Sequence, residues 1–138
     1  MGTLQTIEYP SVGPWRAARM PEPAWRDVES AIRQMDGERF PHVELFLDDD
    51  PAKDEVPDFE LLGGKVGYVV TARVSGGEFY YRNPAGGADE LAVWTSDQGF
   101  SCPRFMVCPD LELVIAATRH FYETGRLLED FPWSPEFG

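Results

Sequence analysis

The side chains in this sequence that could perform chemistry are mostly carboxylates, and they are concentrated in one segment. Residues 44–60 contain eight acidic residues and one lysine. Two carboxyl groups can act as general acid and general base only where burial or neighbouring charges separate their pKa values. Residues 48–58 contain six acidic residues and two prolines, so we expect a solvated loop there and no catalytic pair. That loop also lacks the alternating ligands and the glycine of an EF-hand calcium site.

The chain contains two cysteines and two histidines, and their spacing does not match a metal site. Cys102 and Cys108 are too few for a disulfide scaffold, and a reducing compartment would keep them as thiols. We therefore expect both to be small hydrophobic residues near the core. A metal centre would have to combine them with His42 and His120, but the chain has no Cys-x-x-Cys or His-x-x-x-His spacing. No metal or other cofactor is predicted.

Three pairs of glycines, at 63–64, 76–77 and 86–87, raise the question of a phosphate-binding loop. None of them leads from a strand into a helix with the sequence Gly-Lys-Ser/Thr, so hairpin turns are the better interpretation. No Gly-x-Ser-x-Gly elbow is present for a serine nucleophile. The remaining catalytic hypothesis is a small hydrolase that uses a carboxylate with His120. It requires a deep pocket that contains this histidine and a carboxylate with a perturbed pKa.

Two amphipathic helices are the clearest elements that could position these residues. In residues 22–36 the apolar side chains that share one helical face are Trp25, Val28, Ile32 and Met35. Residues 110–124 show a similar periodicity, with Asp110 placed to cap the N-terminus and Gly125 placed to end the helix. Both helices are expected to lie with one face on a sheet.

Short runs rich in β-branched and aromatic residues predict an antiparallel sheet. These runs lie at residues 42–48, 59–62, 67–74, 78–82 and 91–96. Residues 1–20 are expected to form an irregular N-terminal extension, within which residues 3–10 could be a short strand. The order of elements favours one α+β domain over residues 1–138, with about five antiparallel strands and both helices packed on one face. Apolar residues in the tail, 126–138, should pack back onto the domain.

The overall charge excludes some classes of partner. The chain has 138 residues, of which 12 are basic and 24 acidic, and its net charge is -12. A chain this acidic repels nucleic-acid phosphates and anionic lipid, so neither is expected as a direct partner. No apolar run approaches the ~20 residues that cross a bilayer, and the N-terminus does not have the pattern of a signal peptide. The expected location is the cytoplasm.

The second half of the chain carries motifs that resemble a known protein family. They are a glycine-punctuated strand region at 63–81, an aromatic strand that enters a polar turn at 94–100, and a final helix that ends in an aromatic-x-Thr-Gly motif before Trp133. Over roughly residues 24–134 the sequence resembles the first-numbered immunity protein family (immunity protein one) of bacterial polymorphic toxin systems. The resemblance implies a small cytoplasmic α+β protein that binds one cognate toxin and blocks it. Some members of that family are paired with toxins that are nucleic-acid deaminases, and the resemblance implies no catalytic residues.

The acidic segment, with two aromatic residues, is the predicted contact surface for such a toxin. A toxin that acts on nucleic acid needs a basic cleft, and electrostatic steering can bring an acidic protein to it at up to ~10⁸–10⁹ M⁻¹s⁻¹ at low salt. An aromatic side chain such as Tyr80 or Trp94 would supply the buried anchor. The predicted partner-binding residues are Asp48, Asp49, Asp50, Asp54, Glu55, Asp58, Tyr80, Trp94, Asp97 and Gln98. A monomer or a homodimer is expected, and an orphan adaptor without a toxin is a further alternative.

Overall fold

The fold is a seven-stranded antiparallel sheet with two helices on one face and a short β-ribbon on the other. A computed structural model describes residues 2–47, 56–74, 77–96 and 99–136. In chain order the elements are β1 (Thr3–Glu8), β2 (Arg16–Pro21), α1 (Trp25–Gln34), β3 (His42–Phe46), β4 (Asp58–Gly63), β5 (Tyr68–Val74), β6 (Gly77–Tyr81), β7 (Glu90–Trp94), β8 (Phe100–Pro103), α2 (Leu111–Thr124) and β9 (Trp133–Ser134). The main sheet has the order β2-β1-β3-β4-β5-β6-β9, and β7 and β8 form the ribbon.

The alternation of side chains along the strands directs one apolar set towards the helices. On the three central strands these buried residues are Val43, Leu45, Phe59, Leu61, Val70 and Ala72. Val28 and Ile32 of α1 pack into the same core, and the ring of Phe121 in α2 lies 5.2 Å from the ring of Phe59. The predicted apolar faces of both helices and their packing on one side of an antiparallel sheet are confirmed.

The ribbon covers part of the opposite face of the sheet. Val93 of β7 and Cys102 of β8 pack there against Val69 of β5. Residues 91–96 were expected to extend the main sheet, but their strand pairs with β8 instead. The reason lies in β5, where Val69 and Val70 are both buried although they point to opposite faces. A strand that is apolar on both faces needs a layer on each side of the sheet.

Residues 1–20 were expected to be an irregular extension with a short strand within 3–10, and among the described residues they form two strands of the sheet. β1 agrees with the strand expected at 3–10, whereas β2 was not expected. β1 lies between β2 and β3, and Leu4 is buried opposite Leu45. β2 is an edge strand whose six residues are all exposed, so it has no apolar alternation from which a strand could be predicted. At the C-terminal end, Phe131 is buried and β9 pairs with β6. Within the described residues the main sheet has seven strands, and not about five, because both of its edges are made of residues with a weak strand pattern.

The ends of α2 and the two cysteines match the sequence-based expectations. A carboxylate oxygen of Asp110 accepts a hydrogen bond from the backbone N–H of Leu113 (3.2 Å), and the helix ends at Gly125 with φ of 72°.

Cys102 and Cys108 are free thiols, and both are buried. Burial raises the pKa of Cys102 to about 11. Within the described ranges, no helix combines the length and the apolar character needed to cross a bilayer.

Candidate functional site

The register of the central strands gathers charged side chains on the second face of the sheet, next to the ribbon. Glu44 of β3 is directly opposite Glu60 of β4, and Asp58 of β4 is opposite Arg73 of β5. Arg73 is in turn opposite Glu78 of β6. Because residues two apart share a face, these side chains form one group, completed by His42 and Tyr80. We call the group the acidic face: His42, Glu44, Asp58, Glu60, Arg73, Glu78 and Tyr80.

His42 lies at the inner edge of the acidic face, where its ring contacts two carboxyl groups. Its Nε2 atom is 2.8 Å from Oε2 of Glu60 and 3.7 Å from Oε1 of Glu44. The residue is only 5% exposed. Burial acts to raise the pKa of Glu60, but the hydrogen bond with His42 and the charges of His42 and Arg73 outweigh it and lower that pKa. Glu60 is therefore a carboxylate at neutral pH.

Arg73 is the cation at the centre of the acidic face. Its Nη1 atom is 3.1 Å from Oδ2 of Asp58 and 3.8 Å from Oε2 of Glu44. Its Nη2 atom is 3.5 Å from Oε1 of Glu60, and its Nε atom is 3.8 Å from Oε2 of Glu78. One guanidinium group thus contacts four carboxyl groups. A single positive charge cannot neutralise them all, so the group carries excess negative charge.

Glu44 responds to this excess by keeping its proton. Burial, the hydrogen bond with Asp58 and the negative charges of Glu60 and Asp58 raise the pKa of Glu44 to about 9, although Arg73 lowers it. Two carboxyl groups that share one site separate their titrations in this way. At neutral pH Glu44 is a carboxylic acid that can donate a hydrogen bond to Asp58.

Two buried side-chain atoms in the acidic face have no hydrogen-bond partner among the described residues. Across the described part of the chain, these are Nδ1 of His42 and Oδ1 of Asp58. Buried polar atoms without partners are uncommon in native proteins and call for an explanation such as a bound ion or a functional role. The arrangement is able to bind a cation, to accept a basic side chain from a partner, or to transfer a proton from Glu44.

Two of the predicted contact residues are brought together by this face. Asp58 is 4% exposed and forms part of its floor. Tyr80 lies on the adjoining strand β6, and its Oη atom donates a hydrogen bond to Oε2 of Glu78 (2.6 Å). The other acidic residues predicted to contact a toxin lie outside the described residues, as does one glutamine: Asp48, Asp49, Asp50, Asp54, Glu55, Asp97 and Gln98.

Trp94, the other predicted anchor, is not part of the acidic face. It ends β7, its Nε1 atom donates to Oγ of Ser96 (2.8 Å), and its ring packs 5.4 Å from the ring of Tyr9. Trp15 extends this aromatic group, since its ring lies 6.4 Å from that of Tyr9, and it is 55% exposed. Trp15, which the sequence analysis did not select, therefore offers more apolar surface to a partner than Trp94 does.

His120, the residue of the hydrolase hypothesis, lies in a different part of the molecule. It is half-buried on α2, on the helix-bearing side of the sheet, and lines an open hollow with Glu129 and Asp130. Both of these acidic residues are exposed. His42 lies on the other face of the sheet, so the two histidines cannot share a ligand.

Most of the acidic face was not predicted from the sequence, although the sequence carries a signal for it. Asp58 was a predicted contact residue, but Glu44 and Glu60 were counted only in the charge excess of the acidic segment 44–60. Polar residues also alternate with apolar ones along residues 42–45 and 58–61, which indicates a polar face on each strand. What the sequence did not reveal is the register that sets Glu44 opposite Glu60 and brings Arg73 between them.

Comparisons with known proteins add no assignment to this geometry. A scan of protein-family models finds none that matches the chain, and a search of curated proteins finds no match either.

Proposed function

We propose that this protein is a cytoplasmic immunity protein that binds and inhibits a cognate toxin of a bacterial polymorphic toxin system. The toxin would act on nucleic acid, for example as a deaminase, and the inhibitor would have no catalytic activity of its own. The observation that best supports the proposal is the acidic face, where four carboxyl groups surround the single guanidinium of Arg73. The family resemblance of the sequence gives the same function.

The acidic face suits a basic partner because its charges are held on paired strands. Side chains of adjacent strands keep their spacing, so little conformational entropy is lost when a partner's arginine or lysine binds between them. The accessible part of the face is its outer side, where the carboxylate of Glu78 is 50% exposed and that of Glu60 is 22% exposed. A basic cleft would be attracted at long range and then form charge-assisted hydrogen bonds with these groups.

The acidic residues between Leu47 and Val56 would add to this attraction. That part of the chain connects β3 to β4, the two strands that carry Glu44, Asp58 and Glu60. We expect this charge to increase the rate of association more than the lifetime of the complex, because long-range attraction acts mainly on the rate of encounter.

The proposal is tested by binding to the toxin domain encoded next to the gene of this protein. The purified domain should form a complex in a pull-down at micromolar concentration, and co-expression should protect cells from the toxin. Glu78→Lys should weaken binding at low salt, because it places a positive charge on the acidic face. Glu129→Lys is the matched control, since it makes the same charge change in the hollow that contains His120.

The outcomes separate the function from the surface that performs it. No complex and no protection would overturn the immunity proposal. A complex weakened by Glu129→Lys but not by Glu78→Lys would retain the function and remove the acidic face from it.

A further inference from the structure

We propose that His42, Glu44 and Glu60 form a binding site for a divalent transition-metal ion of the zinc type. This inference does not rest on the proposed function. The ligand-capable atoms of the three side chains all lie within 4.8 Å of one another. All three project from one face of two paired strands, where Glu44 and Glu60 are directly opposite and His42 is two residues before Glu44. An ion placed between them would have three protein ligands.

The types of donor select the class of ion. One imidazole nitrogen and two carboxylate oxygens are ligands that Zn²⁺ accepts at about 2.0–2.2 Å. Mg²⁺ and Ca²⁺ prefer sites made of oxygen atoms alone. Three protein ligands leave a fourth position for water or another small ligand, which is the arrangement of open zinc sites. The side chain of Glu60 is 22% exposed. Solvent can therefore reach the fourth coordination position from the outer side of the acidic face.

A second observation points to a missing cation. Oδ1 of Asp58 is buried and has no N–H or hydroxyl donor among the described residues, and the side chain is only 6% exposed. Asp58 lies beside one of the ligands, since its Oδ2 atom is 3.1 Å and Oε2 of Glu44 is 3.8 Å from the same Nη1 atom of Arg73. A divalent ion would bring positive charge to a group of carboxyl groups that has the guanidinium of Arg73 as its cation.

Arg73 opposes the ion and provides a distinctive test. Its guanidinium nitrogens are 3.5 Å from Glu60 and 3.8 Å from Glu44, so a bound metal would experience its repulsion. The side chain is 40% exposed and can turn towards Glu78 or the solvent. Removing its charge should therefore strengthen metal binding, whereas a purely structural role for the cluster predicts no gain.

The experiment is calorimetric titration of the full chain with ZnCl₂, and separately with MgCl₂ and CaCl₂. We expect one Zn²⁺ per chain and much weaker binding of the other two ions. His42→Gln should weaken Zn²⁺ binding more than about tenfold, since even indirect metal contacts are worth 10–100-fold in affinity. His120→Gln is the matched control, because it removes the only other histidine of the chain. Arg73→Gln should raise the affinity several-fold.

Further variants keep the test valid if His42→Gln does not fold. Glu60→Gln changes a partly exposed ligand and should also weaken binding, while Glu78→Gln, outside the ligand set, should not. Co²⁺ should give the visible absorption of a four-coordinate site in the native chain and in His120→Gln, but not in Glu60→Gln. The proposal is overturned if Zn²⁺ does not bind saturably up to about 1 mM, or if His120→Gln abolishes binding and Glu60→Gln leaves it unchanged.

Discussion

Glu44 and Glu60 are directly opposite each other in the ladder between β3 and β4. Like charges in this position normally destabilise a sheet. The pair is tolerated because Glu44 keeps its proton, while Glu60 is held as a carboxylate by His42 and Arg73. This relationship makes the stability of the protein depend on pH.

Stability should fall as the pH rises from 5.5 to 8, and Glu44→Gln should reduce this dependence. The folded-state pKa of Glu44 is about 9 and its ordinary value is 4.5, so between these values the folded state binds a proton that the unfolded state has lost. The free energy of unfolding from this group then decreases by up to about 1.4 kcal/mol per pH unit. Urea unfolding of both proteins at several pH values, with a chelator present, measures the slopes.

Glu129→Gln is the control for that measurement, because it removes an exposed carboxyl group outside the acidic face. Equal slopes for the native chain and Glu44→Gln would show that Glu44 is ionised in the folded protein. The charged and titratable groups that face Glu44 are His42, Asp58, Glu60 and Arg73, and their own variants should alter the slope as well.

Gly37→Ala should destabilise the protein more than Gly13→Ala. Both glycines have positive φ, 76° and 98° respectively, and an alanine there carries a backbone cost of about 1–2 kcal/mol. At Gly37 a Cβ would also lie 2.6 Å from the carbonyl oxygen of Val93, whereas nothing lies within 4 Å at Gly13. The carbonyl of Gly37 also accepts a hydrogen bond from the backbone N–H of Thr95 (2.8 Å), which joins the ribbon to the end of α1. Thermal unfolding of the two variants compares these costs, and equal losses would refute the close contact.

Asp110→Ala should lower the free energy of unfolding by about 1 kcal/mol, within the 0.5–2 kcal/mol range of helix N-caps. The alanine cannot accept the hydrogen bond that Asp110 receives from the N–H of Leu113. Asp110→Asn retains a side-chain acceptor and should recover most of the loss. Chemical denaturation of the three proteins gives the comparison, and a loss of equal size in the asparagine variant would assign the effect to charge instead of capping.

The thiols of Cys102 and Cys108 should react very slowly with a thiol reagent in the folded protein. Both are buried, and burial raises the pKa of each, to about 11 for Cys102. Because the thiolate is the reactive form, we expect a rate at least about 100-fold lower than in denaturant, where both should react fully. The absorbance of the released chromophore follows the reaction. Rapid modification of either residue without denaturant would contradict its burial.

Reversing the charges of Asp48, Asp49 and Asp50 to lysine should slow association with the toxin more than it speeds dissociation. Charges on a connecting segment act through long-range attraction, which salt screens within about 10 Å at 0.1 M ionic strength. The difference from the native chain should therefore shrink as salt is added. Stopped-flow association at two salt concentrations provides the measurement, and an unchanged rate at low salt would exclude these residues from the steering.

Much of the architecture was predictable from local patterns in the sequence. Helical spacing of apolar residues located α1 and α2, and Asp110 and Gly125 marked the ends of the second helix. Alternating apolar residues and a composition rich in β-branched and aromatic side chains located β3 to β6, because each strand must bury an apolar face. β2 was not predictable in this way, since an exposed edge strand has no apolar face to bury.

The chemistry of the molecule depends on contacts between residues that are distant in the chain. The residue types already determined that the protein is acidic, that residues 44–60 hold much of that charge, and that the cysteines suit the core. Only the register between β3, β4 and β5 decided that Glu44, Glu60 and Arg73 meet on one face. A shift of one residue in that register would send these side chains to the opposite face of the sheet. Local sequence periodicity specifies which residues share a strand face, whereas packing across the whole sheet decides which of them become neighbours.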